Sequence, residues 1–290
     1  MEKQLIFEPI SLNHSEKAES IRKRFGNNLY LYTFASLYAW REDEQYEICF
    51  ADDAFIIKNG AVGDNAYLFP CGSDGGKKVL IDALLAYEKP TLCSLTDEDK
   101  DFLETYYPDM FEFEEIRDEF IYLFDRKAQV ELKGKDYKKQ RHQIHIGKNS
   151  AAQWSTELLT QENTDRAIAI NKEWVKKTGK NGLADIEAAN CALKHFKELS
   201  MWGMLFKADG EDVAYVMGSF ITPEIFDLAF CKVIGERRDF FVRWKVFSSL
   251  PQEVVTIDSE EDLGIEGLRI NKLSRHPQKL IRIWKGNYKI

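Results

Sequence analysis

Apolar and polar positions alternate along this chain in two ways, every second residue in short runs and every third or fourth in longer ones. Residues 4–9 read as a strand. A helix follows, with Asn13 or Ser15 at its cap and Ile21 and Phe25 on its apolar side. Residues 46–50 and 54–58 alternate around Ala51, Asp52 and Asp53, which predicts a hairpin. Residues 67–70 form a third strand, 77–87 a helix and 91–95 another strand. Thr96 or Asp97 then caps a helix reaching Tyr107. Strand-like material with an acidic face, residues 112–124, closes this half.

The second half repeats the order of elements rather than the residues. Residues 162–177 place Ala167, Ile170 and Trp174 on one helical side. Asp185 is the expected cap of a second helix, where Ile186, Ala189, Leu193 and Phe196 recur three and four apart. Strands at 201–206 and 213–221 flank Asp209-Gly210, a strong hairpin signal. A strand at 224–233, a helix from Gly235 to Phe247 and a strand at 254–257 follow, and a last helix starts near Leu263. The division expected is 1–130, a connector at 131–150, and 151–290.

Composition narrows the classes. A chain of 290 residues exceeds one typical domain, and 44% hydrophobic content supports sizeable cores. The net charge of -8 argues against a protein that coats nucleic acid but permits a local basic groove. Residues 132–148 are the candidate, since Lys133, Lys135, Lys138, Lys139, Arg141 and Lys148 face one acid, Asp136. They fit RNA phosphates and an exposed linker equally well. His142 and His145 have no further ligand at metal spacing, so no metal is expected. Five scattered cysteines without C-x-x-C read as reduced thiols. With neither a basic-then-apolar start nor an apolar run of membrane length, the expected location is the cytoplasm.

Two further stretches invite chemistry. The aromatics Tyr30, Tyr32, Phe34, Tyr38 and Trp40 suit base stacking, but more often such a run fills a core. Residues 71–78 resemble a phosphate loop but fail its pattern, with Cys71 at the first glycine and Lys78 at the Ser/Thr. A flexible turn before a helix is the better reading.

The most distinct stretch is 258–277. It opens with Asp258, Glu260, Glu261 and Asp262 after an apolar run, and ends in Arg269, Lys272, Arg275, His276 and Pro277. A helix at 263–275 puts Arg269, Lys272 and His276 on one flank and lets Leu268 and Ile265 face a core. Such a juxtaposition suits acyl or proton transfer, yet spacing alone favours a solvated, ion-paired helix.

The run D-L-G-I-E-G-L-R-x-x-K-L-S-x-H-P within it resembles the signature of bacterial proteins related to the C-terminal domain of phosphatidylglycerol lysyltransferases. The resemblance extends to residues 30–40, 132–146 and 226–233. It implies an α/β (α+β) fold of two tandem GNAT-like acyltransferase domains, each a mixed, mostly antiparallel sheet flanked by helices. It also implies kinship with Fem-type transferases, which draw on aminoacyl-tRNA.

By that resemblance the chain is an acyl (aminoacyl) transferase with an amine or hydroxyl acceptor such as a lipid headgroup or peptide. Lys272 is its foremost catalytic candidate, with Arg269 as a second cation to stabilise developing charge. Glu260 or Asp262 would take a proton or orient the lysine. Lys232, Asp258, Arg275 and His276, with Lys138, Lys139 and Arg141, are the expected substrate contacts; tRNA is an expected partner through the basic segments, and a membrane surface is a further expected contact. In a CoA-dependent alternative, acetyl-CoA or acyl-CoA would sit at Gly235 and Arg237, where Arg237 replaces a small residue. Ala229 and Cys231 stand where relatives tend to carry His and Glu, and Arg275 where they carry an aromatic. Those departures leave a non-catalytic binding protein of the same fold as a third reading.

Overall fold

A computed structural model describes residues 5–178 and 183–289. The chain folds as a mixed α+β protein with two mixed sheets flanked by helices. It divides into two compact units. One comprises Met1–Ile121, Glu261–Ile265 and Leu280–Ile290; the other comprises Tyr122–Glu260 and Glu266–Lys279.

In the first unit the strands run in the order Glu8–Pro9, Tyr46–Ala51, Ala54–Asn59, Ala66–Leu68, Thr91–Leu95, Trp284–Tyr288, Phe111–Glu115, and Cys71–Gly72 pairs beside Ala54–Asn59. The strand expected at residues 4–9 is observed only as Glu8–Pro9, and Gln4 lies outside the described residues. The hairpin forms as expected, with Ala51 opposite Ala54 and Asp52 supplying the left-handed corner at φ 51°. Ile56, Phe69, Leu80, Leu84, Leu92 and Leu103 share one core. The aromatic run is core as well: Tyr30, Tyr32, Phe34 and Tyr38 are buried, and the Tyr32 hydroxyl donates to the Phe69 carbonyl at 2.7 Å.

The stretch after Cys71 is a close-packed helix start. Ser73 Oγ accepts from the Gly76 amide at 3.0 Å and caps the helix Asp74–Leu85, which begins three residues before the expected 77. A Cβ at Gly72 would lie 2.5 Å from Ala54, so that glycine is required by the neighbouring strand.

The second unit shows the predicted order: helices Thr164–Thr178 and Leu183–Lys194, strands Trp202–Ala208, Glu211–Thr222 and Ile225–Val233, helix Asp239–Ser249, strand Thr256–Asp258, helix Glu266–Leu273. An additional strand, Trp154–Leu158, pairs with Trp202–Ala208. Every pairing from Trp154–Leu158 to Ile225–Val233 is antiparallel, and Ile225–Val233 with Thr256–Asp258 is parallel.

Several boundaries differ from expectation for local reasons. The strand-like stretch 112–124 breaks at the turn Arg117–Glu119 into Phe111–Glu115 and Ile121–Asp125, and the latter pairs with Thr256–Asp258. Gly235 does not open a helix. Its φ of 97° is a turn conformation, and the helix starts at Asp239. Asp185 is not a cap but lies in the first turn of Leu183–Lys194, beside the helix dipole's positive end. The last helix is shorter than expected because Leu263 and Gly264 take left-handed φ of 52° and 69°; Ile265, expected in a core, is 55% exposed.

The connector is partly helical, Lys138–Lys148, and is packed rather than free. A Cβ on Gly147 would come within 2.8 Å of the Arg237 carbonyl and Phe241. Arg126 closes the far end of Asp239–Ser249 by donating to the carbonyls of Phe247, Leu250, Pro251 and Val254 at 2.7–3.1 Å.

Candidate active site

The strand Thr256–Asp258 ends in a turn made by its own last carboxylate. Asp258 Oδ1 accepts from the Glu260 amide at 2.8 Å, and Glu260 adopts φ 56°. The turn is tied to Tyr122. Ser259 N donates to the Tyr122 carbonyl at 3.0 Å, and Tyr122 N donates to the Glu260 carbonyl at 3.1 Å.

Lys272, on Glu266–Leu273, reaches this turn. Its Nζ donates to the Ser259 carbonyl and lies 5.5 Å from the centroid of the Tyr122 ring. Asp258 is 1% exposed and Lys272 5%, so the cation is fixed on the strand end and almost dry. A fixed ammonium at low dielectric acts on nearby charge more strongly than one in water.

The neighbouring strand adds a carboxylate that sequence analysis did not select. Asp227 is in Cα register with Asp258 across the parallel pair, and it too is buried. Residues in register share a face of the sheet, about 5 Å apart. The signal was present in the chain: one acid inside the apolar run from Ile225 to Phe230. Aspartate is almost never fully buried unless paired, so its place there marks an organised site. The strand opposite accommodates it through Gly218, where a Cβ would fall 1.7 Å from the Asp227 carbonyl and where the pairing shifts register.

The other members of the acidic run belong to the first unit. Asp262 is fully buried; its Oδ1 accepts from the Gly264 amide at 3.0 Å and its Oδ2 from Arg117 Nη1 at 3.2 Å. Glu261 accepts from the Tyr30 hydroxyl. Asp262 therefore has the geometry of a turn-closing residue.

Other sequence-selected residues of the second unit are engaged apart from the Asp258 turn. Lys232, roughly 17 Å along its strand from Asp227, pairs with Asp185 and lies 4.9 Å from the Trp174 ring centroid. At Gly235 a Cβ would meet the Arg238 side chain at 3.1–3.2 Å. Arg238 itself donates to Ser150 and to the Ile234 carbonyl. Arg237 is exposed at φ 61°.

Arg269 is half-buried. His276 is exposed, stacks edge-on against Tyr137 at 5.2 Å, and has Nε2 3.2 Å from the Asp136 carbonyl. Lys138 and Lys139 are exposed on their helix, whereas Arg141 donates to the carbonyls of Leu132 and Gly134 and holds that loop. Arg275 is buried with its guanidinium 4.8 Å from the Phe124 ring centroid. Asp258, Glu260 and Lys272 are thus the sequence candidates that the fold brings together.

Among the described residues, no helix is long and apolar enough to cross a membrane. A comparison with functionally curated proteins found no match. The chain is similar to a solved conserved protein of unknown function from Bacteroides thetaiotaomicron VPI-5482, at 24% identity and a TM-score of 0.89 over 99% of this chain and 100% of that one. It is similar to L-PGS from Bacillus licheniformis at 14% identity and a TM-score of 0.69, covering 99% and 94%. FemX is similar at 8% identity and 0.61, covering 98% and 97%. At these identities the likenesses show the fold. The family described as "Phosphatidylglycerol lysyltransferase, C-terminal" matches residues 22–228, well over half of the sequence, and the chain belongs to that family.

Proposed function

We propose that the chain is an aminoacyl-type acyltransferase, taking an aminoacyl group from aminoacyl-tRNA and passing it to an amine or hydroxyl acceptor such as a lipid headgroup or peptide. The reading is supported by the dry, fixed ammonium of Lys272 on a turn that also holds the buried Asp258, in a chain of this family. In this reaction the acceptor attacks the ester carbonyl, its proton passes to a carboxylate, and the 3′-oxygen leaves and is protonated. Lys272, with Arg269, stabilises the developing oxyanion. Glu260, half-buried, takes the acceptor's proton, and the Asp227–Asp258 pair positions the turn. The exposed Lys138 and Lys139 supply phosphate contacts. Two tandem GNAT-like halves, divided in sequence near 131–150 although the last strand Trp284–Tyr288 returns to the first unit's sheet, a cytoplasmic location and contact with a membrane surface belong to the same proposal.

A second reading, a binding protein that no longer catalyses, is favoured by one observation. Lys272 is 5% exposed and its ammonium already holds a backbone carbonyl, which is also how a purely structural lysine is placed.

Filter binding of bulk aminoacylated tRNA against deacylated tRNA separates the two, using wild type and Lys272→Arg at moderate salt. Preference for the charged form, weakened at least tenfold by the substitution, supports the transferase. Equal binding of both forms favours the second reading, and no binding even at low salt sinks the tRNA donor.

A further inference from the structure

A cavity of about 20 Å³ in the second unit is lined by Gln129, Gln140, Asp239, Arg243, Asn271 and Arg275, among others. Two of its polar neighbours are already committed. Gln129 Nε2 donates to the Arg275 carbonyl at 2.7 Å and Gln140 Nε2 to the Ser274 carbonyl at 2.9 Å, so both amides hold the chain leaving the helix Glu266–Leu273. The guanidinium groups are in a different condition. Arg275 is 4% exposed, and its Nε, Nη1 and Nη2 have no hydrogen-bond partner among the described residues; the Nε of Arg243 has none either.

Arginine stays charged and its donors need acceptors, so an unpaired buried guanidinium is costly. The Arg275 pKa is pushed down to about 9, by burial first and by the Arg243 charge second, with Cys231 and Asp239 opposing. At Arg243 burial is the largest single influence and acts downward, but Cys231 and Asp239 together outweigh it and the net direction is up. Asp239 is the sole carboxylate in the lining, so two cations face one anion. Arg243 Nη1 is 3.5 Å from Asn271 Oδ1, at the limit of a hydrogen bond.

We propose that the cavity between Arg243 and Arg275 binds a phosphate-type oxyanion. Paired arginines match the several acceptor oxygens of phosphate in a fixed fork geometry. A volume of about 20 Å³ takes about one water-sized group, so a single oxygen of the oxyanion reaches between the two guanidinium groups. The site holds whether or not the chain transfers aminoacyl groups, and its test requires no tRNA.

The test is thermal unfolding and calorimetric titration of the intact chain with inorganic phosphate, at ionic strength fixed with sodium chloride. The expected result is a saturable rise in Tm, on the order of 5 °C at a hundredfold excess over Kd. Arg275→Met should lose at least tenfold in phosphate affinity. Arg243→Lys retains the charge but loses the fork, and should weaken binding several-fold; it carries the test if Arg275→Met does not fold. Phosphate stabilising no more than chloride, or variants responding as wild type, would overturn the site and indicate a water-filled cavity. Where inorganic phosphate binds, tighter binding of glycerol phosphate or of a nucleoside monophosphate supports the site and identifies its source.

Discussion

Two buried cations lie three residues apart, Lys272 inside a helix and Arg275 just beyond it, and they are held in opposite ways. Lys272 has a carbonyl acceptor and an aromatic face, on a turn whose own amides are paired. Arg275 has an aromatic face and no acceptor among the described residues. Burial is therefore a poor guide to role by itself. A buried charge with its partners in place contributes to architecture at once, whereas a buried charge without them contributes only when something else supplies the acceptor.

Removing each charge breaks or sharpens that contrast. Lys272→Met leaves the buried Ser259 carbonyl without its donor, and should cost about 1–3 kcal/mol in urea unfolding. Arg275→Met removes a charge that has no protein acceptor, and in phosphate-free buffer should be neutral or stabilising by roughly 1–4 kcal/mol. If both variants lose stability equally, the two cations are held alike and the distinction fails.

The same contrast explains what could be read from the sequence. The order of elements from Thr164–Thr178 to Glu266–Leu273 was legible, because the apolar periods and the Asp209-Gly210 turn are local signals. Where those signals were weak the boundaries moved, as at Gly235, Asp185 and Leu263. Trp284–Tyr288 was not legible as a strand between Thr91–Leu95 and Phe111–Glu115, since pairing across nearly two hundred residues has no local signature. Lys272 and Asp258 lie in a conspicuous charge run, but it was the resemblance to the lysyltransferase family that made them candidates. Asp227 and Arg243 were not candidates, because each stands between apolar neighbours in its element, Phe226 and Leu228 or Val242 and Trp244, and only the fold shows what it faces. The family match itself ends at residue 228, so the 258–277 stretch that drew attention lies outside it.

A smaller effect is expected where the acidic run passes through the first unit. Gly264 sits at φ 69°, and a Cβ there would come within 2.6 Å of Asp118 Oδ2. Gly264→Ala should cost about 1–3 kcal/mol, and Gly267→Ala, which has open space at its Cβ and lies within the helix Glu266–Leu273, should be neutral or slightly stabilising. Equal effects at the two glycines would show that the turn after Asp262 tolerates a side chain.

The smallest predicted effect concerns a charge pair at the edge of the second unit, intermediate between the two buried cations. Arg166 holds Asp212 through Nε at 2.8 Å and Nη2 at 2.5 Å, and also pairs with Glu157 at 2.5 Å. The Arg166 hydrogen bond lowers the Asp212 pKa, against the opposing effect of partial burial. A carboxylate whose folded pKa lies below its unfolded value stabilises the protein above the unfolded value of about 3.9, and that stabilisation is lost as pH falls through the folded pKa. Asp212→Asn should therefore lower stability slightly at pH 7 and flatten the loss of stability between about pH 4 and the folded pKa, read as Tm against pH. Both partners are partly exposed, so salt should reduce the difference. An acid limb unchanged by the substitution would mean that Glu157 alone holds Arg166, and that this pair, unlike Lys272 on its turn, is replaceable.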